Sequence, residues 1–287
     1  MSLLVAGERI EDPTLGPAHH SAVRTDLDLV AAADRNFLGS FRKLIEHIPD
    51  GAVADFGGVF AFRTGLPIGL YNGCVVDHPA SSAAVVAALD WIGDDLPHLL
   101  WIHDELADPL GSIGRDRGME RESWQTPQMI LGPPPTMPEP APGVTVLPVT
   151  NTASLEEFVA LIGGGSSSDV ARRLIPATLA ADADVLCLTA YLDGRPAGTA
   201  IAIRTGAVSG VYAVGTLPEA RRRGVATAAT WAAVDAGRAW GCETVALQST
   251  EMGFPVYAAM GFRTVVRYTV FRRAPDESQP DRNPPAA

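Results

Sequence analysis

Apolar and polar positions change their spacing along residues 144–273, and each change predicts a new element. Short apolar or alternating runs indicate strands, whereas apolar positions recurring every three or four residues indicate helices. Strands are expected at 144–150, 185–194, 195–206, 207–217, 243–249 and 262–273, and helices at 154–162, 167–181, 225–240 and 254–260. This order of elements predicts a mixed α/β domain.

Local signals support several of these boundaries. Ser154 followed by Glu157 has the form of a capping box at a helix start. Asp193 and Gly194 predict the tight turn of a hairpin. Pro176 interrupts the second helix, and Gly241 is suited to the end of the alanine-rich helix.

The first half repeats the pattern more faintly, which indicates duplication of one fold. A helix is expected first, then a hairpin, a helix, a strand, and a short helix followed by a strand. These elements fall at 29–48, 52–65 with 66–76, 81–93, 99–105 and 111–131. Gly118, before the bulky Met119, corresponds to Gly261 before Phe262.

A proline-rich segment separates the halves. The sequence GPPPTMPEPAPG at 132–143 holds six prolines, which exclude a helix or a central strand. We therefore predict one domain at 1–131, a semi-rigid linker at 132–143 and a second domain at 144–273. The polar, proline-rich tail 274–287 is expected to be disordered.

Composition limits the class of protein. With 287 residues, 47% apolar and 19% charged, the chain is expected to be soluble and globular. No run reaches the roughly 18 apolar residues of a membrane span, and the start of the chain lacks the basic leader of a signal peptide. Cys74, Cys187 and Cys242 lie far apart without metal-type spacing, which favours reduced thiols, no metal and a cytoplasmic location.

The net charge of −11 argues against binding to nucleic acid or anionic lipid. Residues 1–143 hold 9 basic and 20 acidic side chains, whereas residues 144–287 hold 13 of each. Either the acidic residues form solvated faces, or the first half faces a cationic partner while the second binds an anion. The sequence carries no signal for an oligomeric state.

The sequence PEARRRGVATAATWAA, 218–233, combines several features of an anion site. Gly224 permits a turn and a close approach of ligand to backbone. The helix that follows presents unpaired N–H groups and the positive end of its dipole. Arg221–Arg223 add positive charge, and Thr227 can donate a hydrogen bond. The alternative is an ordinary helix start with exposed arginines. The segment is neither a Walker loop nor a dinucleotide fingerprint.

Two motifs resemble the GNAT superfamily of N-acetyltransferases. The first is Arg221-x-x-Gly224-x-Ala226, which resembles the acyl-CoA-binding motif; the second, at 247–265, has Tyr257 four residues before Gly261. The resemblance covers 144–273, and across the first half it extends to architecture alone. It implies two tandem α/β (α+β) domains, each a mixed, mostly antiparallel sheet flanked by helices. In this family the sheet splits at its middle, where acetyl-CoA inserts.

The resemblance also implies roles for individual residues. Tyr257 matches the tyrosine that protonates the leaving thiolate. Thr250 stands where many members carry an asparagine that contacts the cofactor. The strand residues pair with the pantetheine arm, and the loop holds the pyrophosphate. The implied cofactor-binding residues are Val214, Gly215, Thr216, Arg221, Arg222, Arg223, Gly224, Val225, Ala226, Thr227 and Thr250.

The general base has several candidates. Glu251 is preferred, with Glu219, His103 and a water chain as alternatives. The first half lacks the arginine–glycine loop and has Gly114 at the position of Tyr257, so it is predicted to bind no acetyl-CoA. Trp101 and His103 share one strand face, which can line a cleft between the halves.

The expected activity is acetyl transfer to an amine, with a non-catalytic, CoA-responsive binding module as the alternative. Small amines, antibiotics, peptide N-termini and lysine side chains all fit as acceptors. If the acidic half faces the second half, acidic side chains surround the acceptor's entrance and favour cationic amines.

Overall fold

The computed structural model describes residues 26–133, 136–162 and 169–274. These residues form one twelve-stranded mixed sheet and eight α-helices. The helices are α1 Asp26–Glu46, α2 Ser82–Ile92, α3 Asp104–Asp116, α4 Thr152–Ile162, α5 Asp169–Leu174, α6 Ala177–Ala180, α7 Val225–Ala239 and α8 Phe254–Ala259. The strands are β1 Ala52–Asp55, β2 Phe60–Arg63, β3 Gly73–Val76, β4 His98–His103, β5 Glu120–Arg121, β6 Thr126–Leu131, β7 Val144–Pro148, β8 Val185–Leu192, β9 Arg195–Thr205, β10 Val208–Thr216, β11 Thr244–Gln248 and β12 Arg263–Arg273.

The two halves of the chain exchange their last strands. The sheet order is β1-β2-β3-β4-β12-β6-β11-β10-β9-β8-β7, with β5 added beside β12. In the repeat, β6 corresponds to β12, and β4 corresponds to β11. Each last strand pairs with the inner strand of the other half, since β12 pairs with β4 and β6 pairs with β11. The halves therefore share one continuous sheet.

Helices cover both faces of this sheet. On β2–β4, alternate side chains pack against α1 or against α2 and α3, as the two-residue period of a strand requires. In the second half, α7 packs on one face of β8 and β9, and α4–α6 pack on the other. No helix in these described ranges is long and apolar enough to cross a membrane.

Helix α1 belongs to the first half but lies across strands of the second. Asn36 Nδ2 donates to the carbonyl oxygens of Ile203, at 3.3 Å, and Val208, at 3.2 Å. Gly210 makes room for this contact, because a Cβ there would overlap the Asn36 side chain. The chain thus uses one helix to tie its halves together beside the centre of the sheet.

The predicted fold class is confirmed, and the predicted elements of 144–162 and 169–273 are present. The capping box is wrong. Asn151 Oδ1 accepts from Ser154 N–H at 3.0 Å, and Ser154 Oγ accepts from Asn151 N–H at 3.1 Å. The reciprocal pair therefore lies three residues earlier, and Glu157 instead accepts a hydrogen bond from Tyr191.

The predicted hairpin in the first half is also different. Residues 52–65 form a hairpin by themselves, β1 and β2, because Gly57 and Gly58 turn the chain with φ 64° and 96°. Strand β3 then pairs with β2 as a third strand. The described residues of 132–143 form neither helix nor strand. Residues 1–25, 134–135, 163–168 and 275–287 lie outside the description, including most of the predicted tail, and the domain boundaries stay predictions.

The repeat is visible in local geometry. Gly118 and Gly261 both have positive φ, 70° and 94°. Met119 N–H donates to Gly114 O at 2.9 Å, and Phe262 N–H donates to Tyr257 O at 3.0 Å. The two helix ends are therefore built alike, and position 114 is structurally equivalent to position 257.

Candidate active site

The sheet opens between β10 and β11. These parallel strands pair only from Val208, opposite Thr244, to Gly210, opposite Ala246. Strand β10 continues to Thr216 without pairing to β11 beyond that point. The unpaired edge of a strand offers backbone groups to an extended ligand.

A bulge in β10 accompanies the opening. The register between β10 and β9 shifts between Tyr212 and Gly215. Ala213 has φ 50°, and its carbonyl oxygen accepts a hydrogen bond from Thr199 Oγ1 at 2.8 Å. Because a bulge bends and twists its strand, this irregularity helps to separate β10 from β11.

A cavity of about 580 Å³ lies at this opening. It is lined by four of the predicted site residues: Val214 on β10, Thr250 and Glu251 after β11, and Tyr257 on α8. The remaining predicted residues are not in its lining. Gly215 and Thr216 complete β10, and Arg221–Thr227 form the connection into α7.

The connection into α7 leaves a helix N-terminus without a side-chain cap. Gly224 has φ 82°, a left-handed conformation that glycine adopts without strain. The backbone N–H groups of Val225, Ala226 and Thr227 follow it in the first turn, where a helix supplies no partners of its own. A Cβ at Gly224 would lie 2.7 Å from the Cβ of Ala141. Both the turn and the packing therefore require glycine.

The three arginines of this loop are exposed. Arg223 forms an ion pair at 3.4 Å with Asp193, which lies in the turn between β8 and β9. Arg221 and Arg222 have no ion pair among the described residues. Arg222 has φ 60°, which is uncommon for a residue with a side chain. Left-handed residues at 222 and 224 are typical of backbone nests that bind anions.

Tyr257 is buried, with 9% of its surface exposed. Its ring packs edge-on against Phe262, with the centroids 6.0 Å apart. Gly253 leaves space for the ring, since a Cβ there would lie 2.9 Å from Tyr257 Cε2. Burial raises the pKa of Tyr257 to about 12, so the hydroxyl holds its proton near neutral pH.

Thr250 and Glu251 lie in the turn between β11 and α8. Thr250 Oγ1 accepts a hydrogen bond from Gly253 N–H at 3.2 Å, so this side chain shapes the start of α8. Glu251 is exposed and has no ion pair within the described ranges. Its carboxylate is therefore available to a ligand that enters the cavity.

The first half lacks each of these features. Strand β3 pairs with β4 along its whole length, so the sheet stays closed there. Ser81 Oγ caps α2 by accepting from Ala84 N–H at 3.1 Å, which occupies a group that an anion would need. A Cβ at Gly114 would lie 2.9 Å from the ring of Phe271, so that ring leaves no space for a tyrosine there.

The expectation of an acidic entrance is wrong for this cavity. The first half contributes mainly apolar and aromatic side chains to the wall, and its one lining carboxylate, Glu122, is paired with Arg272. Trp101 lines the cavity as predicted for its strand face. His103 does not, because it is buried against Asp34 with Nε2 3.3 Å from Oδ1. Glu219 is exposed in the turn Pro218–Ala220 and is also outside the lining.

A buried polar network behind the cavity was not predicted. Asp34 Oδ1 accepts hydrogen bonds from Gln128 Nε2, at 2.5 Å, and from the Tyr268 hydroxyl, at 2.7 Å. Gln128 Oε1 accepts in turn from Gln248 Nε2 at 2.7 Å. Polar residues at apolar positions of α1, β6 and β11 are the sequence signal that points to such a network.

These features fit an acyl-CoA. Uncapped N–H groups at the start of α7 suit a pyrophosphate, the free edge of β10 suits the amide-bearing arm, and Tyr257 places a weak acid in the cavity beyond. Within the described residues, no group of three His, Cys, Asp or Glu side chains is arranged to hold a metal ion.

A split mixed sheet beside an uncapped helix N-terminus is the arrangement that the resemblance to the GNAT superfamily implies. Residues 156–262 match the model of the Acetyltransferase (GNAT) family. The resemblance seen in the sequence motifs is thereby confirmed. Family and fold support an acyl-transfer function for the chain. Among curated proteins, none has a sequence that matches it.

Solved structures with the same fold cover both halves. A GCN5-related N-acetyltransferase from Kribbella flavida has a TM-score of 0.60 at 19% identity and covers 85% of this chain and 94% of its own. A tandem GNAT protein from the clavulanic acid biosynthesis pathway has 0.53 at 15%, with coverages of 81% and 86%. A GCN5-related N-acetyltransferase from Sphaerobacter thermophilus has 0.55 at 17%, with 86% and 91%. The tandem arrangement is therefore a known form of this fold.

Proposed function

We propose that this protein is an N-acetyltransferase that moves an acetyl group from acetyl-CoA to an amine, with one active site per chain in the second half. The observation that carries the proposal is the opening between β10 and β11. The uncapped start of α7 follows β10 along the chain, and Tyr257 lines the cavity at the opening. The first half keeps its sheet closed at the equivalent place.

The binding roles divide between the two parts of the site. Val214, Gly215 and Thr216 offer the backbone edge of β10 to the pantetheine arm, and Thr250 borders the same cavity. The backbone of Gly224–Thr227 receives the pyrophosphate, with the side chains of Arg221 and Arg222 free to add positive charge. Arg223 joins them once its exposed pair with Asp193 opens, which costs little for a surface ion pair.

Tyr257 and Glu251 carry the proton transfers. The amine nitrogen forms a bond to the thioester carbon, the carbon–sulfur bond breaks, and the thiolate takes the Tyr257 proton. Glu251, exposed at the cavity, accepts the proton that the amine loses. Burial in the cavity raises the pKa of Tyr257, and it also raises the pKa of a thiol bound there. The pKa values of the proton donor and the leaving thiol therefore stay close to each other.

The alternative function is a CoA-responsive binding module without catalysis. Incubation with acetyl-CoA and a panel of amines, followed by release of free thiol and mass spectrometry of the amine, separates the two. Amine-dependent thiol release and an amine gaining one acetyl group support the transferase. Binding of CoA without turnover on any amine would support the module.

A further inference from the structure

The cavity wall opposite β10 and β11 is built by the first half and is aromatic. Phe37 and Phe41 on α1, Trp101 on β4, and Tyr71 and Trp124 in connecting segments all line it. Phe37 and Trp101 pack edge-to-face at 5.4 Å. Trp124 is held in place, because its Nε1–H donates to Ser249 O at 3.1 Å. A rigid aromatic wall favours a flat apolar ligand group, and its ring faces attract a cation.

The charges in the lining are few. Arg272 and Glu122 neutralise each other, so Glu251 is the one carboxylate in the lining that has no ion pair among the described residues. A ligand in this cavity therefore meets one negative charge and a large apolar surface.

On the β11 side of the cavity, hydrogen bonds from residues behind the wall fix the orientation of the Gln248 side-chain amide. Asp34 Oδ1 accepts a hydrogen bond from Gln128 Nε2, so Gln128 turns its NH₂ group toward Asp34. Gln128 then presents its oxygen to Gln248, which must turn its own NH₂ group toward Gln128. Gln248 Oε1 accepts no hydrogen bond within the described residues, and Gln248 lines the cavity.

We propose that the acceptor is an amine carried on a flat apolar group, that Gln248 Oε1 accepts a hydrogen bond from its nitrogen, and that Asp34 and Gln128 are positioning residues. This inference rests on the proposed function. A fixed acceptor atom holds one N–H of the amine and leaves its lone pair free to attack. If Gln248 turned around, its NH₂ group would donate to the lone pair of the amine, which could then no longer attack.

The binding experiment uses the full chain saturated with CoA, because this complex cannot turn over. Calorimetry compares 2-phenylethylamine with ethylamine in the wild type, Gln248→Leu, Gln128→Met and the double variant. We expect 2-phenylethylamine to bind at least tenfold more tightly than ethylamine. Each single change should weaken it about five- to tenfold, the order expected for the loss of one hydrogen bond. The double variant should lose no more than either single one, because both changes remove the same interaction.

Gln125→Met is the matched control. Gln125 is a nearby, part-buried glutamine that donates to Thr269 Oγ1 at 3.4 Å and is outside the cavity lining. Gln125→Met should leave the amine affinity unchanged, and all variants should keep the wild-type affinity for CoA. In turnover, Gln128→Met should raise KM for the amine without changing KM for acetyl-CoA, which a general loss of structure would not do.

Two results would overturn the inference: equal binding of 2-phenylethylamine and ethylamine, or wild-type amine affinity in Gln248→Leu. Gln248 is only part-buried, so this variant tests the inference even if Gln128→Met fails to fold. Amine binding that depends on Gln248 without any acetyl transfer would instead refute the proposed transferase and leave the binding assignment standing.

Discussion

The loop before α7 offers the most direct perturbation of cofactor binding, Gly224→Glu. Residue 224 has φ 82°, so any side chain there costs about 1–2 kcal/mol of strain. The new carboxylate would also lie beside the proposed pyrophosphate site. Two like charges about 5 Å apart at an effective dielectric constant of about 20 repel by roughly 3 kcal/mol, which corresponds to more than a hundredfold in affinity.

Gly241→Glu supplies the matched control at the other end of the same helix. Gly241 has φ 79°, and a Cβ there would meet nothing within 4 Å. The control therefore carries the same added charge and similar backbone strain, far from the proposed pyrophosphate site. Gly224→Glu should lose more stability than Gly241→Glu, because its Cβ would also lie 2.7 Å from the Cβ of Ala141. Each kcal/mol lost corresponds to about 2–4 °C in Tm for a chain of this size.

Calorimetric titration with acetyl-CoA checks both the affinity and the stoichiometry. The wild type and Gly241→Glu should bind one acetyl-CoA per chain with similar affinity, and Gly224→Glu should lose at least a hundredfold. Equal affinity of the two variants would show that the pyrophosphate does not bind at α7. Two sites per wild-type chain would refute the assignment of the first half as degenerate.

Three further predictions concern the cavity. Tyr257→Phe should lower kcat by about 10²–10⁴ while leaving acetyl-CoA affinity unchanged; an unaltered kcat would mean that another group protonates the thiolate. Burial raises the pKa of Tyr71 and of Tyr257 to about 12. Between about pH 10 and 12 the unfolded chain therefore ionises first, and the free energy of unfolding should fall. Urea titrations across this range measure it, and a constant free energy from about pH 10 to 12 would contradict it. Glu251 is the one unpaired carboxylate in the lining among the described residues, so kcat/KM for a cationic amine should fall with ionic strength more than kcat/KM for a neutral amine. Glu251→Gln should remove this difference. Equal dependence of kcat/KM on ionic strength for the two amines in the wild type would contradict the role of charge.

The sequence predicts the elements of this fold well because their signals are local. Gly241, Pro176 and the Asp193–Gly194 turn act through backbone conformation that neighbouring residues determine. The capping pair was misplaced for a local reason as well, since Asn151 is an equally good cap three residues before Ser154.

The cavity wall was not predictable in the same way. The net charge of the first half counts all of its acidic and basic residues. The chemical character of the cavity wall depends only on the side chains that α1 and β4 present at the opening. The link from Asp34 through Gln128 to Gln248 joins residues that are 94 and 120 positions apart in the sequence. It exists because β6 lies beside β11, a pairing between halves that no local pattern encodes.

That pairing makes the chain the covalent equivalent of a domain-swapped dimer. A single-domain copy that gave its last strand to a second molecule would build the same sheet, with two equal sites. When the two copies are joined in one chain, their sites need not be identical, because one half can lose its site and still complete the sheet of the other. It also means that each half, expressed alone, lacks the strand that covers β4 or β11 in the full chain. Both fragments would be prone to association, and mixing them should restore the sheet.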